Sequence, residues 1–393
     1  MRKVAIIGAG MTRFGRSEAT LVDLLSQASL AALGAASLGE RRVDAVYVAN
    51  MGAARLNRQT AVASALVDAL QLFPAMAESV ENGPASGASA FKNGYQAVAS
   101  GMADVVLVTG GERMRAVNNL EATDFVASLS HPQAEYIYGV TLPALAGLFT
   151  RLYMDRYGVK PEHLARVAIK NHANAAKNPY AHIRQEITME GILTSPDAVV
   201  NNPFIADPLR LYDCCPVSDG AAALVLCPLE TAQTLGGPVV RIGGIGQATD
   251  THAVHERPDP TQLSAVRLAA QKAFSMAGLT PKEIDVAELH DAFTILEIAE
   301  SEEAGFFEKG KGHLALEKGV TALSGKLPIN PSGGLKAKGH PVGATGVAQL
   351  VELVWQLRGE AGQRQVKGAK TAFACNFGGF GNNVVASVLQ REG

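Results

Sequence analysis

The chain has 393 residues, with 35 basic against 37 acidic side chains and a formal net charge of −2. That balance argues against nucleic acid or an anionic membrane as a bulk partner, and the length is enough for two domains or two fused halves. Gly and Ala are abundant and aromatics few, which suits tightly packed α/β layers.

No apolar run reaches the length of a membrane span. Met1-Arg2-Lys3 precedes the apolar stretch V-A-I-I-G-A-G, but that stretch is short and Arg13 follows it. A first β-strand is therefore expected over 3–8, not a signal peptide. Cys214, Cys215, Cys227 and Cys375 form no C-x-x-C pair and no metal-ligand spacing. A reduced, cytoplasmic protein without a metal site is the expectation.

After the first strand, G-A-G-M-T-R-F-G comes close to a dinucleotide fingerprint. Its third glycine is misplaced at Gly15 and no acidic residue closes a second strand, so it reads as a strand followed by a turn. Apolar spacing predicts helices over 21–38 and 60–70 and strands over 43–48 and 77–81. The chain then turns at Asn82-Gly83-Pro84. A small-residue helix follows over 85–99, with Ser86 placed to cap it, and an apolar strand over 105–109. This order is a βαβ pattern and predicts parallel pairing.

The segment 112–202 changes character, gathering His131, His163, His172 and His182 with tyrosines and scattered basic residues. It reads as an inserted loop domain covering a cleft, with helices over 143–157 and 161–176. The core resumes with a strand near Tyr212, the turn V-S-D-G and an apolar strand over 221–226; Cys214 and Cys215 read as packing residues there. From 239 the pattern repeats. The stretch leading to Asp285 reproduces the helix, short turn, acidic residue and strand around Asp44, so two homologous halves are expected: 1–237, carrying the insert, and 238–393. A helix over 347–357 and strands over 371–375 and 384–389 complete the second half.

Four stretches carry the chemistry: S-V-E-N-G-P-A-S-G-A around Pro84, E-L-H-D-A-F-T around His290, L-K-A-K-G-H-P-V-G-A-T-G around His340, and A-C-N-F-G-G-F-G around Cys375. In the third, glycines permit close backbone approach to a histidine at the start of a helix. Together the four resemble the thiolase superfamily. The match is closest to the branch holding the thiolase domain of sterol carrier protein x, the archaeal acetoacetyl-CoA thiolases and the lipid-transfer proteins.

The resemblance implies a thiolase fold, with two duplicated halves in a five-layered αβαβα arrangement and an inserted covering loop domain. It implies His340 as the activating histidine, His290 as the histidine that holds an oxygen, and Cys375 as the proton-shuttling cysteine. Gly378 and Gly379 would offer backbone N–H groups to a thioester oxygen. Ser332, Lys336 and Lys338 would lie near coenzyme A, which enters as substrate, with no covalently bound cofactor. The departure is Pro84, which stands where the family has its nucleophilic cysteine and cannot be acylated. Three readings stay open: Claisen-type acyl transfer between a β-ketoacyl-CoA and CoA, retro-aldol cleavage of a β-hydroxyacyl-CoA, and a non-catalytic acyl-CoA or lipid-binding subunit. The resemblance also implies a homodimer and a small OB-fold/zinc-ribbon partner subunit.

Overall fold

The computed structural model describes residues 1–392. Its strands are β1 (Val4–Met11), β2 (Ala45–Ala49), β3 (Met76–Val80), β4 (Val106–Arg113), β5 (Phe204–Ala206), β6 (Leu209–Arg210), β7 (Asp219–Pro228), β8 (Val239–Thr249), β9 (Val286–Glu288), β10 (Thr371–Gly378) and β11 (Asn383–Glu392). Nine of them form one sheet in the order β3-β2-β4-β7-β1-β8-β11-β10-β9. β2 is parallel to both β3 and β4, as the βαβ spacing predicts.

The two halves read outward from the middle as mirror copies. β1, β7 and β4 on one side correspond to β8, β11 and β10 on the other. Instead of two separate sheets, the halves meet edge to edge where β1 and β8 share the pairs Ala5↔Arg241 and Ile6↔Val240.

Both faces of each half-sheet are covered, so the strands are apolar on both sides. In β4, Val106 and Val108 face a core shared with helix Val342–Arg358, while Leu107 faces the core under helix Leu21–Ala36. In β10, Ala372 and Ala374 face the shared core, and Phe373 and Cys375 the outer core of the second half. Helix Ser86–Ser100 joins Val342–Arg358 in the central layer, and Ser264–Ala277 covers β8 and β11 from outside. This is the αβαβα order.

The repeat extends to single residues. A Cβ on Gly8 would sit 2.1 Å from the Ala32 carbonyl oxygen, and one on Gly244 would sit 2.1 Å from that of Ala273. These glycines let a helix lie directly on its strand, which explains the G-A-G run without a nucleotide. The Asp44 carboxylate accepts the Asp104 and Val105 N–H groups, and Asp285 accepts those of Lys370 and Thr371. In each half the acidic residue fixes the entry of the neighbouring strand.

β4 and β7 are antiparallel neighbours and pair Arg113 with Asp219, so the chain between them leaves the sheet and returns. The stretch near Tyr212 is a short 3₁₀ turn, Leu211–Asp213, beside the β5/β6 hairpin, not the strand expected there. Helices Leu142–Tyr157 and Pro161–Ala176 of this excursion pack on the second half. They help bury helix Thr294–Glu303, whose glutamates are all paired: Lys170 meets Glu297 at 2.9 Å, Tyr153 bonds Glu302, and Lys309 meets Glu303 at 2.8 Å. The remaining one, Glu300, accepts the His290 N–H. No helix among the described residues is long and apolar enough to cross a membrane.

Candidate active site

The two central helices bring the motif loops together. Gly87 and Gly346 cross where a Cβ on Gly87 would lie 2.8 Å from the Gly346 nitrogen, so only glycine allows this approach. Both helix N-termini then point to one place, with Pro84 just before one and His340 just before the other. The buried Glu112 carboxyl pins this end, accepting from Asn50, Met51, Gly52 and Gly343. Burial raises its pKa to about 7. Ser86 does not cap its helix: its hydroxyl accepts the Asn82 N–H and donates to the Gly83 carbonyl, locking the turn that presents Pro84.

Above these N-termini lies a cavity of about 150 Å³, walled by Pro84, His290, His340, Phe377, Gly379 and apolar side chains of the covering segment. The two imidazoles meet edge to face, centroids 4.9 Å apart at 88°. His290 also stacks on Phe377, 5.3 Å away and within 4° of parallel. Both are held neutral. Burial pulls His340 down to about 3, with the Lys338 charge adding to it. Burial, then His340, holds His290 well below the usual range.

Their hydrogen bonds assign opposite tautomers. The Thr345 hydroxyl donates to the Pro341 carbonyl, so it accepts from His340 Nδ1–H at 2.7 Å. That leaves a lone pair on His340 Nε2. His290 Nδ1 instead accepts, from Asn376 Nδ2 at 3.1 Å and from the Phe377 N–H at 3.4 Å. The Asn376 amide is oriented by its oxygen, which accepts the Ala88 N–H. His290 therefore carries its proton on Nε2. One histidine is a proton acceptor and the other a donor, side by side on the cavity wall.

The other expected site residues divide between the cavity and the interior. Gly379 lines the cavity, and Gly378 lies in the adjoining open cleft. Cys375 is a correction: it is fully buried and lies outside the cavity wall, and burial, then the nearby Glu300 carboxyl, holds its pKa well above the usual range. It shares a strand face with Phe377 but sits one step deeper. Ser332, Lys336 and Lys338 are also corrections to the expected coenzyme A contacts, because all three are interior. Ser332 bonds both oxygens of Glu288, and Lys338 Nζ lies 3.5 Å from the same carboxylate. Lys336 lies over the Tyr212 ring beside Asp213, Asp291 and the Cys214–Cys215 pair. A lysine in such a place is retained by buried acids, not by a phosphate.

Sequence reasoning missed four residues here. Thr345 and Asn376 fix the tautomers, and both lie inside the motifs, within five residues of His340 and next to Cys375. Cys214 and Cys215, read as packing, line the cavity. Burial pushes the Cys215 thiol up to about 12 and Cys214 higher still, so both are protonated wall groups, not thiolates.

Known proteins resemble this chain along its whole length. The family model "Thiolase, N-terminal domain" matches residues 4–230, and "Thiolase C-terminal domain-like" matches 246–391. An acetyl-CoA acetyltransferase of Methanothermobacter thermautotrophicus is 43% identical over all of both chains. Sterol carrier protein 2 of Homo sapiens is 33% identical across 99% of this chain and 72% of its own length. Among solved structures, one described as "Ltp2-ChsH2(DUF35) aldolase" superposes with a TM-score of 0.83 at 26% identity, covering 99% of this chain and 98% of that one. With family models matching both halves and a relative of this similarity end to end, the chain belongs to the thiolase family.

Proposed function

We propose that this chain makes or breaks a carbon–carbon bond next to a CoA thioester, by Claisen-type acyl transfer between a β-ketoacyl-CoA and CoA. The observation that carries this reading is the pair of neutral histidines with opposite tautomers on one apolar wall. In the cleavage direction, His340 Nε2 takes the proton of the CoA thiol. The thiolate adds to the β-carbonyl carbon, and the resulting alkoxide collapses. The Cα–Cβ bond breaks, leaving the electron pair on the shortened thioester as an enolate. His290 Nε2–H and the Gly379 backbone hold the enolate oxygen, aided by the converging helix N-termini. The proton on His340 then passes to the α-carbon, giving two acyl-CoA products. Pro84 stands in the family nucleophile's place, so CoA itself is the nucleophile, in a ternary complex.

A second reading is favoured by the likeness to the Ltp2-ChsH2(DUF35) aldolase. There His340 would take the proton of a β-hydroxyl, and the same enolate site would receive the electrons, releasing an aldehyde or ketone. The same likeness supports a partner subunit, and the OB-fold/zinc-ribbon kind is what the family resemblance of the motifs implies. β3 closes one edge of the sheet with Met76 to Ser79 exposed, and an uncovered edge strand is a pairing surface. It supports a homodimer through that edge.

The test is a product assay by mass spectrometry with β-ketoacyl-CoA plus CoA, and separately with β-hydroxyacyl-CoA. Two acyl-CoA products, formed only with free CoA, support the first reading. One shortened acyl-CoA and a carbonyl compound, without free CoA, replace it with the second. Tight CoA binding with neither product leaves a non-catalytic carrier.

A further inference from the structure

The proposed reaction leaves the acyl group unspecified, and the cavity wall bears on its size and polarity. The cavity holds about 150 Å³, and none of its wall residues is an acid, a lysine or an arginine. Beyond the two histidines, its only side-chain polar groups are the Thr123 hydroxyl and the Cys214 and Cys215 thiols. The rest is Pro84, Met114, Leu142, Phe293, Phe380 and similar apolar side chains. A cavity of about 150 Å³ lined by Leu, Ile and Phe holds one benzene ring and otherwise stays dry. The nearby charges give no help to a charged group. Lys336 and Lys338 are buried behind the wall and face acids there.

We propose that this cavity is the acyl site, and that it takes an uncharged, apolar acyl group of about six carbons, a straight chain or a single aromatic ring. This assignment rests on the thioester chemistry proposed for the two histidines. A terminal carboxylate would enter without a partner, which is costly in an apolar surrounding. A long chain would exceed the volume. An acetyl group would leave much of it empty and forgo the contacts of the far wall.

The room is set partly by a small residue. Ala122 is buried and faces the cavity from helix Asn119–Ala127, so a larger side chain there takes space directly from the acyl group. Val126, one turn on, lines the same wall and is half-buried.

The test is calorimetric titration of the intact protein with acetyl-, hexanoyl-, phenylacetyl-, adipyl- and palmitoyl-CoA, with turnover of the matching β-ketoacyl-CoAs measured separately. Affinity is expected to rise up to about fourfold per methylene from acetyl to hexanoyl. Phenylacetyl-CoA should bind about as tightly as hexanoyl-CoA, palmitoyl-CoA no tighter, and adipyl-CoA at least ~10-fold more weakly. In Ala122→Leu the hexanoyl-to-acetyl affinity ratio should fall towards one. Val126→Phe should do the same if the first variant fails to fold. Equal affinity across the series, or adipyl matching hexanoyl, overturns the acyl-site assignment even if turnover is found. The expected pattern without turnover of any β-keto or β-hydroxy substrate upholds the site and overturns the reaction. No binding of any CoA thioester overturns both.

Discussion

Lowering the pH should destabilise this protein through His340, by an amount that follows from its burial. The native imidazole is pulled down to about 3, while in the unfolded chain it returns to about 6.5. Between those values the unfolded state binds a proton that the native state refuses. Stability therefore rises with pH in this window and is lost as pH falls through 6.5 towards 3, at about 1.4 kcal/mol per unit. From pH 7.5 to pH 5, His340 alone should account for a loss of about 2 kcal/mol. The perturbation is His340→Gln, which removes the titration while keeping a polar side chain of similar size. Urea unfolding followed by circular dichroism at both pH values would show the wild type losing about 2 kcal/mol more than the variant. Equal losses would mean that His340 is protonated in the native state at pH 5. The proton-acceptor role assigned to its Nε2 would then fail as well. For the same reason, wild-type kcat/KM should show no acid limb with a midpoint near 6.5 from this residue.

Thr345→Val removes the acceptor that holds His340 Nδ1–H; kcat should fall by about 10-fold or more with KM little changed, and Thr345→Ser should restore it. Unchanged kcat in the valine variant would show that the tautomer is not set there. Cys375→Ala should keep turnover within about threefold while costing roughly 1–2 kcal/mol of stability in denaturant titration, because the thiol lies behind the wall; a loss of ~100-fold or more would return it to the proton path. Lys338→Met leaves Glu288 buried without its cation. A loss of about 3–5 kcal/mol is expected, read as a lower thermal midpoint, and an unchanged midpoint would show that Glu288 is already protonated and needs no partner.

The layers were legible because the strands alternate two apolar faces, and because Gly8 and Gly244, Asp44 and Asp285 recur at matching points. The edge-to-edge join of the halves was not, since two residue pairs of β1 and β8 leave no mark on composition. At the site, the His290 and His340 stretches could be read from their motifs. Which histidine donates could not, because that depends on Thr345 also bonding Pro341, and on Asn376 being oriented by Ala88. Lys336 and Lys338 were misread for a related reason. A lysine in a glycine-rich loop defaults to solvent, and Glu288 and Asp291, which hold these lysines inside, come from a distant part of the chain.

The seam between the halves has a thermal consequence. Ala5↔Arg241 and Ile6↔Val240 are all the main-chain pairing that β1 and β8 share, so the halves adhere mostly through the side chains of the central layer. Adhesion of that kind weakens on cooling, whereas a long hydrogen-bonded ladder would be less affected. Pro84 belongs to one half and both histidines to the other, so chilling acts on the joint that aligns them. Cold should loosen the reacting geometry before it disturbs the strand pairing within either half.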